Sequence, residues 1–156
     1  MILHKGNMWD CFGKVDLFLI TTNPVVKKNG ACVMGRGIAK EMSEKYPEIP
    51  FALGSIIQTR RGTKAWRDSD TIGCLDKQIV GYFMVKDHWL EPAKLSIIES
   101  SVRALLVQLD YCTQYKSDFT VALNFPGIGN GKLKREDVLP LLEVLPDNVH
   151  IWEYGE

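Results

Sequence analysis

Residues 21–46 constrain the fold of this chain more than any other stretch. The largely apolar run from Val15 to Ile20 before them predicts a buried strand at residues 16–20. Gly35 and Gly37 then lead into a segment that Pro47 ends and whose apolar residues recur at helical spacing: Ile38, Ala39, Met42 and Tyr46. A strand, a glycine-bearing loop and a helix N-terminus in this order favour phosphate binding, because free backbone N–H groups and the helix dipole attract an anion. Since one GxG is weak evidence, an ordinary strand-to-helix turn remains the alternative.

A second glycine loop, residues 124–131, follows another strand-like run at residues 119–123. It carries Pro126 and then three alternating glycines, Gly127, Gly129 and Gly131. Such a loop allows close backbone approach to an anion or a sugar, although it could also be a connection without function. Two glycine loops at the carboxyl ends of predicted strands fit ligand binding in an open α/β sheet and suggest a clamp on a diphosphate.

Strand-like and helix-like stretches alternate along the rest of the chain. Apolar runs predict strands at residues 1–4, 54–59, 78–85, 119–123 and 149–154. Helical periodicity predicts helices at residues 38–46, 93–109 and 134–145, the last kinked or late-starting because of Pro140. The alternation predicts a three-layer α/β domain with about six strands.

Composition bounds the class of protein. The chain has 156 residues, which favours one domain, and Lys plus Arg equals Asp plus Glu at 19 each. This balance excludes general attraction to nucleic acid, and no apolar run is long enough for a membrane span. Four widely spaced cysteines, without CxxC or a Cys/His pair suited to zinc, indicate reduced thiols in a cytoplasmic protein with no metal.

One local cluster is basic and aromatic. Residues 60–67 contain Arg60, Arg61, Lys64, Trp66 and Arg67. The cluster could contact a nucleic-acid backbone, but on spacing alone a solvated hairpin loop is the stronger interpretation.

Four motifs together resemble the macro domain family, whose members bind ADP-ribose and some of which hydrolyse its derivatives. They are Gly6-Asn7, Thr21-Thr22-Asn23, the stretch from Val33 to Ala39, and the stretch from Pro126 to Gly131. The VMGRGIA sequence is similar to the branch that contains the DNA-directed ADP-ribosyl glycohydrolase antitoxin, the terminal ADP-ribose glycohydrolase and the ADP-ribose-1″-phosphatase. The resemblance implies that residues 1–156 form a single macro domain, an α/β/α sandwich around a mixed sheet of about six strands. It also implies a monomer that needs no cofactor.

The resemblance assigns roles to individual residues. Asn7 would hold the adenine amino group, and Asn23 would lie beside the distal ribose. Lys86 aligns with a catalytic lysine of the glycohydrolases, so the expected catalytic group is Lys86, Asn23 and His88. The expected ligand-binding residues come from the motifs and the two loops: Asn7, Met8, Thr22, Asn23, Met34, Gly35, Arg36, Gly37, Ile38, Pro126, Gly127, Ile128, Gly129, Asn130 and Gly131.

Three functions remain open from the sequence. The chain could remove ADP-ribose from DNA or protein, act as a phosphatase on ADP-ribose-1″-phosphate, or bind ADP-ribose without catalysis. Lys86 favours the first, because a partly desolvated amine can serve as nucleophile or base. The terminal-ribose enzyme has an acidic residue after the second loop, where this chain has Lys132. By spacing alone Lys86 would be a surface lysine and His88 a packed histidine. The aromatic residues Trp9, Trp89 and Phe125 could stack on the ligand or pack in the core.

Overall fold

A computed structural model of the chain describes residues 1–60 and 72–154. Within these ranges it contains six β-strands and four α-helices. The strands are β1 (Ile2–Lys5), β2 (Leu17–Thr22), β3 (Gly73–Leu75), β4 (Gln78–Met84), β5 (Val121–Asn124) and β6 (Val149–Glu153). The helices are α1 (Gly37–Lys45), α2 (Ile49–Thr59), α3 (Leu95–Tyr115) and α4 (Arg135–Leu142), and 3₁₀ turns cover Met8–Cys11 and Gly129–Gly131.

The strands form one mixed sheet in the order β1-β6-β5-β2-β4-β3. All neighbouring pairs are parallel except β3 and β4, which are antiparallel. The predicted fold class, an α/β domain with a mixed sheet of about six strands, is therefore confirmed. Because β2, β4 and β5 are parallel neighbours, their carboxyl ends meet at one edge of the sheet.

The two faces of β2 bury its side chains in separate cores. Leu17 and Leu19 point into a core that they share with residues of α3 and α4. Phe18 and Ile20 point into the opposite core, which contains residues of α1 and α2. This alternation, the period of two expected of a strand, places helices on both faces of the sheet.

The strand predicted at residues 54–59 is wrong, because these residues form the second half of α2. Pro50 lies in the first turn, where its missing N–H costs no helical hydrogen bond. Ile49 and Leu53, four residues apart, are fully buried. Helical packing of this face outweighs the local β preference of Ile56 and Ile57.

Other boundaries differ by a few residues. Helix α3 continues to Tyr115, six residues beyond the predicted end. Helix α4 begins at Arg135, contains Pro140 and ends at Leu142, so it is shorter than predicted. In the described part of the chain, no helix combines the length and the apolar character that crossing a membrane requires.

Candidate functional site

A cleft of about 280 Å³ lies between the two glycine loops, at the carboxyl ends of β2, β4 and β5. It brings together most of the predicted ligand-binding residues with Lys86. The lining comprises Thr21, Thr22, Asn23, Val33, Met34, Gly35, Arg36, Gly37, Ile38, Ala39, Val85, Lys86, Trp89, Asn124, Phe125, Gly127, Ile128, Asn130 and Gly131.

The side chain of Asn23 hydrogen-bonds to the backbone of the first loop. Its Nδ2 donates a hydrogen bond to the Val33 carbonyl at 2.9 Å, and its Oδ1 accepts one from the Val25 N–H at 2.9 Å. Its side chain therefore ties the start of the segment after β2 to the end of that segment. Asn23 lies at the cleft as predicted, while its catalytic role stays a prediction.

The N-terminus of α1 opens into the cleft. Arg36 is the N-cap residue, and no side chain caps the helix. The first N–H groups of a helix have no partner within it, so those of Gly37, Ile38 and Ala39 are available to a ligand. Gly37 has φ +62°, and a Cβ added there would lie 3.7 Å from Nδ2 of Asn130 in the second loop. The two loops thus face each other across a space that a side chain at Gly37 would begin to fill.

The second loop uses its glycines for different purposes. Gly127, at φ +81°, is packed so closely that an added Cβ would lie 2.7 Å from Cδ1 of Ile98. Gly129, at φ +64°, faces open space and begins a 3₁₀ turn that no side chain caps. The first glycine is therefore needed for packing, whereas the second supplies the positive φ of the turn.

Thr21 and Asn124 form part of the cleft that our sequence analysis did not assign to the site. Oδ1 of Asn124 accepts a hydrogen bond from the Thr21 N–H at 3.1 Å, and its Nδ2 donates to Oγ1 of Thr21 at 2.8 Å. The pair joins the ends of β2 and β5 where the two loops begin. Their positions at the ends of predicted strands, next to the glycine loops, were the available signal.

Lys86 lies in the cleft, half-buried, directly beyond β4. Burial lowers the pKa of its amine below 10.5, and the positive charges of Arg36 and Lys132 lower it further. None of the lining residues is an Asp or a Glu. The cleft of the described chain is therefore cationic, which suits a diphosphate.

His88 lies outside the cleft lining, although it was predicted to be catalytic. Its Nδ1 accepts a hydrogen bond from the Leu90 N–H at 3.1 Å, so in the neutral ring Nε2 carries the proton. The imidazole stacks against the indole of Trp89, with centroids 5.6 Å apart. These contacts give His88 a part in holding the turn after Lys86, and its catalytic role stays a prediction.

Several predicted ligand-binding residues do not line the cleft. Asn7 is exposed, and its Oδ1 accepts a hydrogen bond from the Trp9 N–H at 3.0 Å, while Met8 is buried in the core. Pro126 and Gly129 belong to the second loop without lining the cleft. Their contacts with a ligand stay predictions.

The remaining predictions divide by location. Of the aromatic candidates, Phe125 and Trp89 line the cleft, whereas Trp9 packs against Phe18. Apart from Arg60, the basic cluster at residues 60–67 lies outside the described residues. Among the described residues, no group of three or more His, Cys, Asp or Glu side chains could hold a metal ion.

Comparisons with known proteins agree with this fold. The macrodomain of Mycobacterium tuberculosis DarG superposes with a TM-score of 0.69 and 26% identity, covering 99% of this chain and 97% of that one. The chain is a macro domain of the DarG-like branch. Thermosipho africanus DarTG, solved in complex with ADP-ribose, shares the fold at a TM-score of 0.72 and 19% identity, over 98% of this chain and 42% of that one.

Sequence comparison finds the same branch. The macro domain is 32% identical, over 143 residues and 87% of its length, to proteins named DNA ADP-ribosyl glycohydrolase from Mycobacterium bovis and Mycobacterium tuberculosis. It spans 39% of the length of these relatives. None of the protein-family profiles compared with the chain matches it.

Proposed function

We propose that this macro domain binds ADP-ribose in the cleft and removes it from a macromolecule, with ADP-ribosylated DNA as the first substrate to test. The observation that carries the proposal is a half-buried lysine in a cleft that is lined by the uncapped N-terminus of α1 and contains no carboxylate in its lining. The similarity to proteins named DNA ADP-ribosyl glycohydrolase supports DNA as the acceptor.

The diphosphate of ADP-ribose is assigned to the space between the loops. The start of α1 lines this space, and its first backbone N–H groups have no side-chain cap. Arg36 adds a positive charge at the N-cap of α1. An anion bound there gains both hydrogen bonds and a favourable interaction with the helix dipole.

Lys86 is proposed to carry the chemistry at C1″ of the distal ribose. A neutral Nζ can attack C1″ and displace the acceptor, whose leaving atom takes up a proton; water then hydrolyses the C1″–N bond, which releases ADP-ribose and restores the amine. Alternatively, a neutral Nζ can take a proton from a water molecule that attacks C1″ and displaces the acceptor. A protonated Nζ can donate its proton to the departing group or stabilise the negative charge that develops there. The lowered pKa of Lys86 increases the fraction of neutral amine and supports the first two roles.

Two substitutions at Lys86 test this assignment. Lys86→Ala should keep ADP-ribose binding, since the loops supply the phosphate contacts, and should lower release of ADP-ribose from DNA by about 100-fold or more. Lys86→Arg keeps the charge, but a guanidinium does not lose its proton in a protein. Activity that survives in the arginine variant indicates electrostatic stabilisation, and its loss indicates a free amine.

The assay should compare an ADP-ribosylated oligonucleotide, an ADP-ribosylated protein and ADP-ribose-1″-phosphate, with binding of free ADP-ribose measured by calorimetry. Turnover of the phosphate ester alone would replace the proposal with a phosphatase. Binding without any turnover would make the domain a reader. If the Lys86→Ala variant releases ADP-ribose from DNA at the wild-type rate, Lys86 is not catalytic.

Three further features belong to the proposal. The macro domain acts as a single unit and as a monomer, and the widely spaced cysteines favour a cytoplasmic location. The basic cluster that begins at Arg60 could add contacts to a nucleic-acid backbone. If it does, charge reversal at Arg61 and Lys64 should weaken turnover of DNA and leave binding of free ADP-ribose unchanged.

A further inference from the structure

The order of the strands locates the base end of the ligand. The proposed function puts C1″ beside Lys86, at the end of β4, and the diphosphate between the loops at the ends of β2 and β5. On the other side of β5 the sheet continues with β6 and then β1, and all three strands run parallel. The nucleoside therefore extends along the carboxyl edge toward β1, away from Lys86, over two strand spacings or about 10 Å.

Asn7 occupies this end of the edge. It follows β1 after one glycine, and the Gly6 N–H donates to the Glu153 carbonyl at 2.8 Å, which holds the turn beside the end of β6. The side chain of Asn7 is exposed. Its hydrogen-bonding groups are therefore accessible to a base that lies at the end of β1.

The turn that carries Asn7 is fastened to the helix that faces the diphosphate. Nε1 of Trp9 donates to Oε2 of Glu41 in α1 at 2.5 Å, and Nζ of Lys45 lies 4.9 Å from the centre of the indole. The indole also packs against Phe18 of β2, with ring centroids 5.3 Å apart. These contacts set the position of Asn7 relative to the N-terminus of α1 before a ligand binds, which lowers the entropic cost of recognition.

The carboxamide of Asn7 has one end committed and one end free. Its Oδ1 accepts a hydrogen bond from the Trp9 N–H at 3.0 Å, and since a backbone N–H can only donate, the atom that faces it is the oxygen. Nδ2 lies on the other side of the amide, and no acceptor within residues 1–60 and 72–154 bonds to it. Asn7 therefore offers a base an N–H donor, where a carboxylate of the same shape would offer a second acceptor.

Two carboxylates lie near this end of the edge. Both oxygens of Glu153 accept hydrogen bonds from Arg135, at 2.7 to 3.0 Å, so this carboxylate is already occupied. Asp10 is exposed and lies three positions after Asn7, the spacing at which side chains of a 3₁₀ turn eclipse each other. Asp10 is therefore the rival group for contact with the base.

A free donor suits a purine with either a carbonyl or an amino group at C6. A 6-oxo purine presents O6 and N7 as acceptors, and adenine presents N7 beside its amino group. An amide N–H can donate to either base, whereas a carboxylate accepts from the amino group and is repelled by O6.

We propose that Asn7 makes the base end of the site tolerant of both kinds of purine, so that this macro domain binds the hypoxanthine analogue of ADP-ribose with an affinity similar to that for ADP-ribose itself. This inference rests on the proposed function and widens its ligand class to purine nucleoside diphosphoriboses.

Calorimetry with ADP-ribose and inosine-diphosphate-ribose measures the ratio of the two affinities in each protein. The ratio should be close to one in the wild type. Asn7→Asp keeps an oxygen for the Trp9 N–H and exchanges Nδ2 for a second oxygen, so it should raise the preference for ADP-ribose to about tenfold. The added negative charge and any change in stability act on both ligands alike and cancel in the ratio.

Two further variants separate the amide donor from its surroundings. Asn7→Ser keeps an oxygen for the Trp9 N–H but lacks Nδ2, so it should weaken both ligands by a similar factor. Asp10→Asn makes the reverse exchange, a carboxylate for an amide, three positions away and should leave the ratio unchanged.

Each result decides between the inference and an alternative. If the ratio is the same in the wild type and in Asn7→Asp, or if the wild type prefers ADP-ribose by about tenfold or more, Asn7 does not relax recognition of the base and the inference is wrong. A ratio that changes in Asp10→Asn would assign the base to Asp10 instead. If the wild type binds both ligands but releases no ADP-ribose from DNA, the proposed hydrolase activity fails while the tolerance stands. If it binds neither ligand, both fail.

Discussion

Both glycine loops alternate glycine with larger residues, but the two loops are supported in different ways. The first loop depends on a distant helix. The Cys32 N–H donates to the Pro50 carbonyl in α2 at 2.8 Å. A Cβ added to Gly54 of α2 would lie 1.9 Å from the carbonyl oxygen of Gly30. The segment before the first loop is thus positioned by close contact with α2.

The second loop closes largely on itself. The Leu133 N–H donates to the Gly127 carbonyl at 2.9 Å, and the Lys132 N–H donates to the Gly129 carbonyl at 3.0 Å. The difference teaches that a glycine motif does not identify which of its glycines faces the ligand. Gly129 has open space around it, whereas Gly54 and Gly127 are needed for packing within the protein.

The largest expected effect is on ADP-ribose binding, and it tests whether both loops contribute to the ligand-binding site. Gly37→Leu and Gly129→Leu should each abolish detectable ADP-ribose binding, because each puts a bulky side chain on a loop that is proposed to hold the diphosphate. Both residues have positive φ, so each variant should also lose about 1–2 kcal/mol of unfolding free energy. Gly13→Leu is the matched control, with φ +85° and open space around it. Calorimetry that shows unchanged affinity in both loop variants would refute the diphosphate clamp.

The next effect tests the support of the first loop. Helix propensity alone would make Gly54→Ala stabilising by about 1 kcal/mol. The contact with the Gly30 carbonyl involves backbone on both sides and cannot be relieved by a rotamer change. We therefore expect a net loss of about 2 kcal/mol or more in unfolding free energy. Denaturant unfolding measures it, with the exposed neighbour Ser55→Ala as the control. A more stable Gly54→Ala protein would mean that α2 does not set the position of this loop.

The smallest effect compares the cations that the two loops contribute near Lys86. Arg36 and Lys132 both lower its pKa, Arg36 more strongly. If a neutral amine acts, the rate rises with pH until Lys86 has lost its proton. Arg36→Gln and Lys132→Asn should then move the profile to higher pH, with the larger shift in the arginine variant. The pH dependence of kcat measures both shifts, and profiles that coincide with the wild type would exclude a titrating Lys86.

The same pKa predicts how stability depends on pH. Between the folded-state pKa of Lys86 and 10.5, the unfolded chain binds a proton that the folded chain has released. The contribution of Lys86 to the free energy of unfolding therefore rises with pH across this window. In Lys86→Ala that rise should be absent.

The sequence determined the alternation of strands and helices and the positions of both glycine loops. These features depend on local periodicity and on residues with special backbone freedom, which a single chain displays directly. Lys86 was singled out by the resemblance to macro domains and not by spacing, although its place just after a strand fits the ligand-binding edge of the sheet. The strand prediction at residues 54–59 was wrong, because an apolar run of this length fits either a strand or a helix. Only the packing of α2 decides between the two.

Only the tertiary structure decided what individual side chains do. The bond between Asn124 and Thr21 spans 103 positions of sequence, and it exists because β2 and β5 are neighbours in register. His88 is predicted to be catalytic from its sequence context, and only the fold shows that it lies outside the cleft lining, with its Nδ1 bonded to the Leu90 N–H. Local sequence reveals where the chain bends and which face it buries. Partners across the fold depend on strand order and register, which bring distant residues within hydrogen-bonding distance.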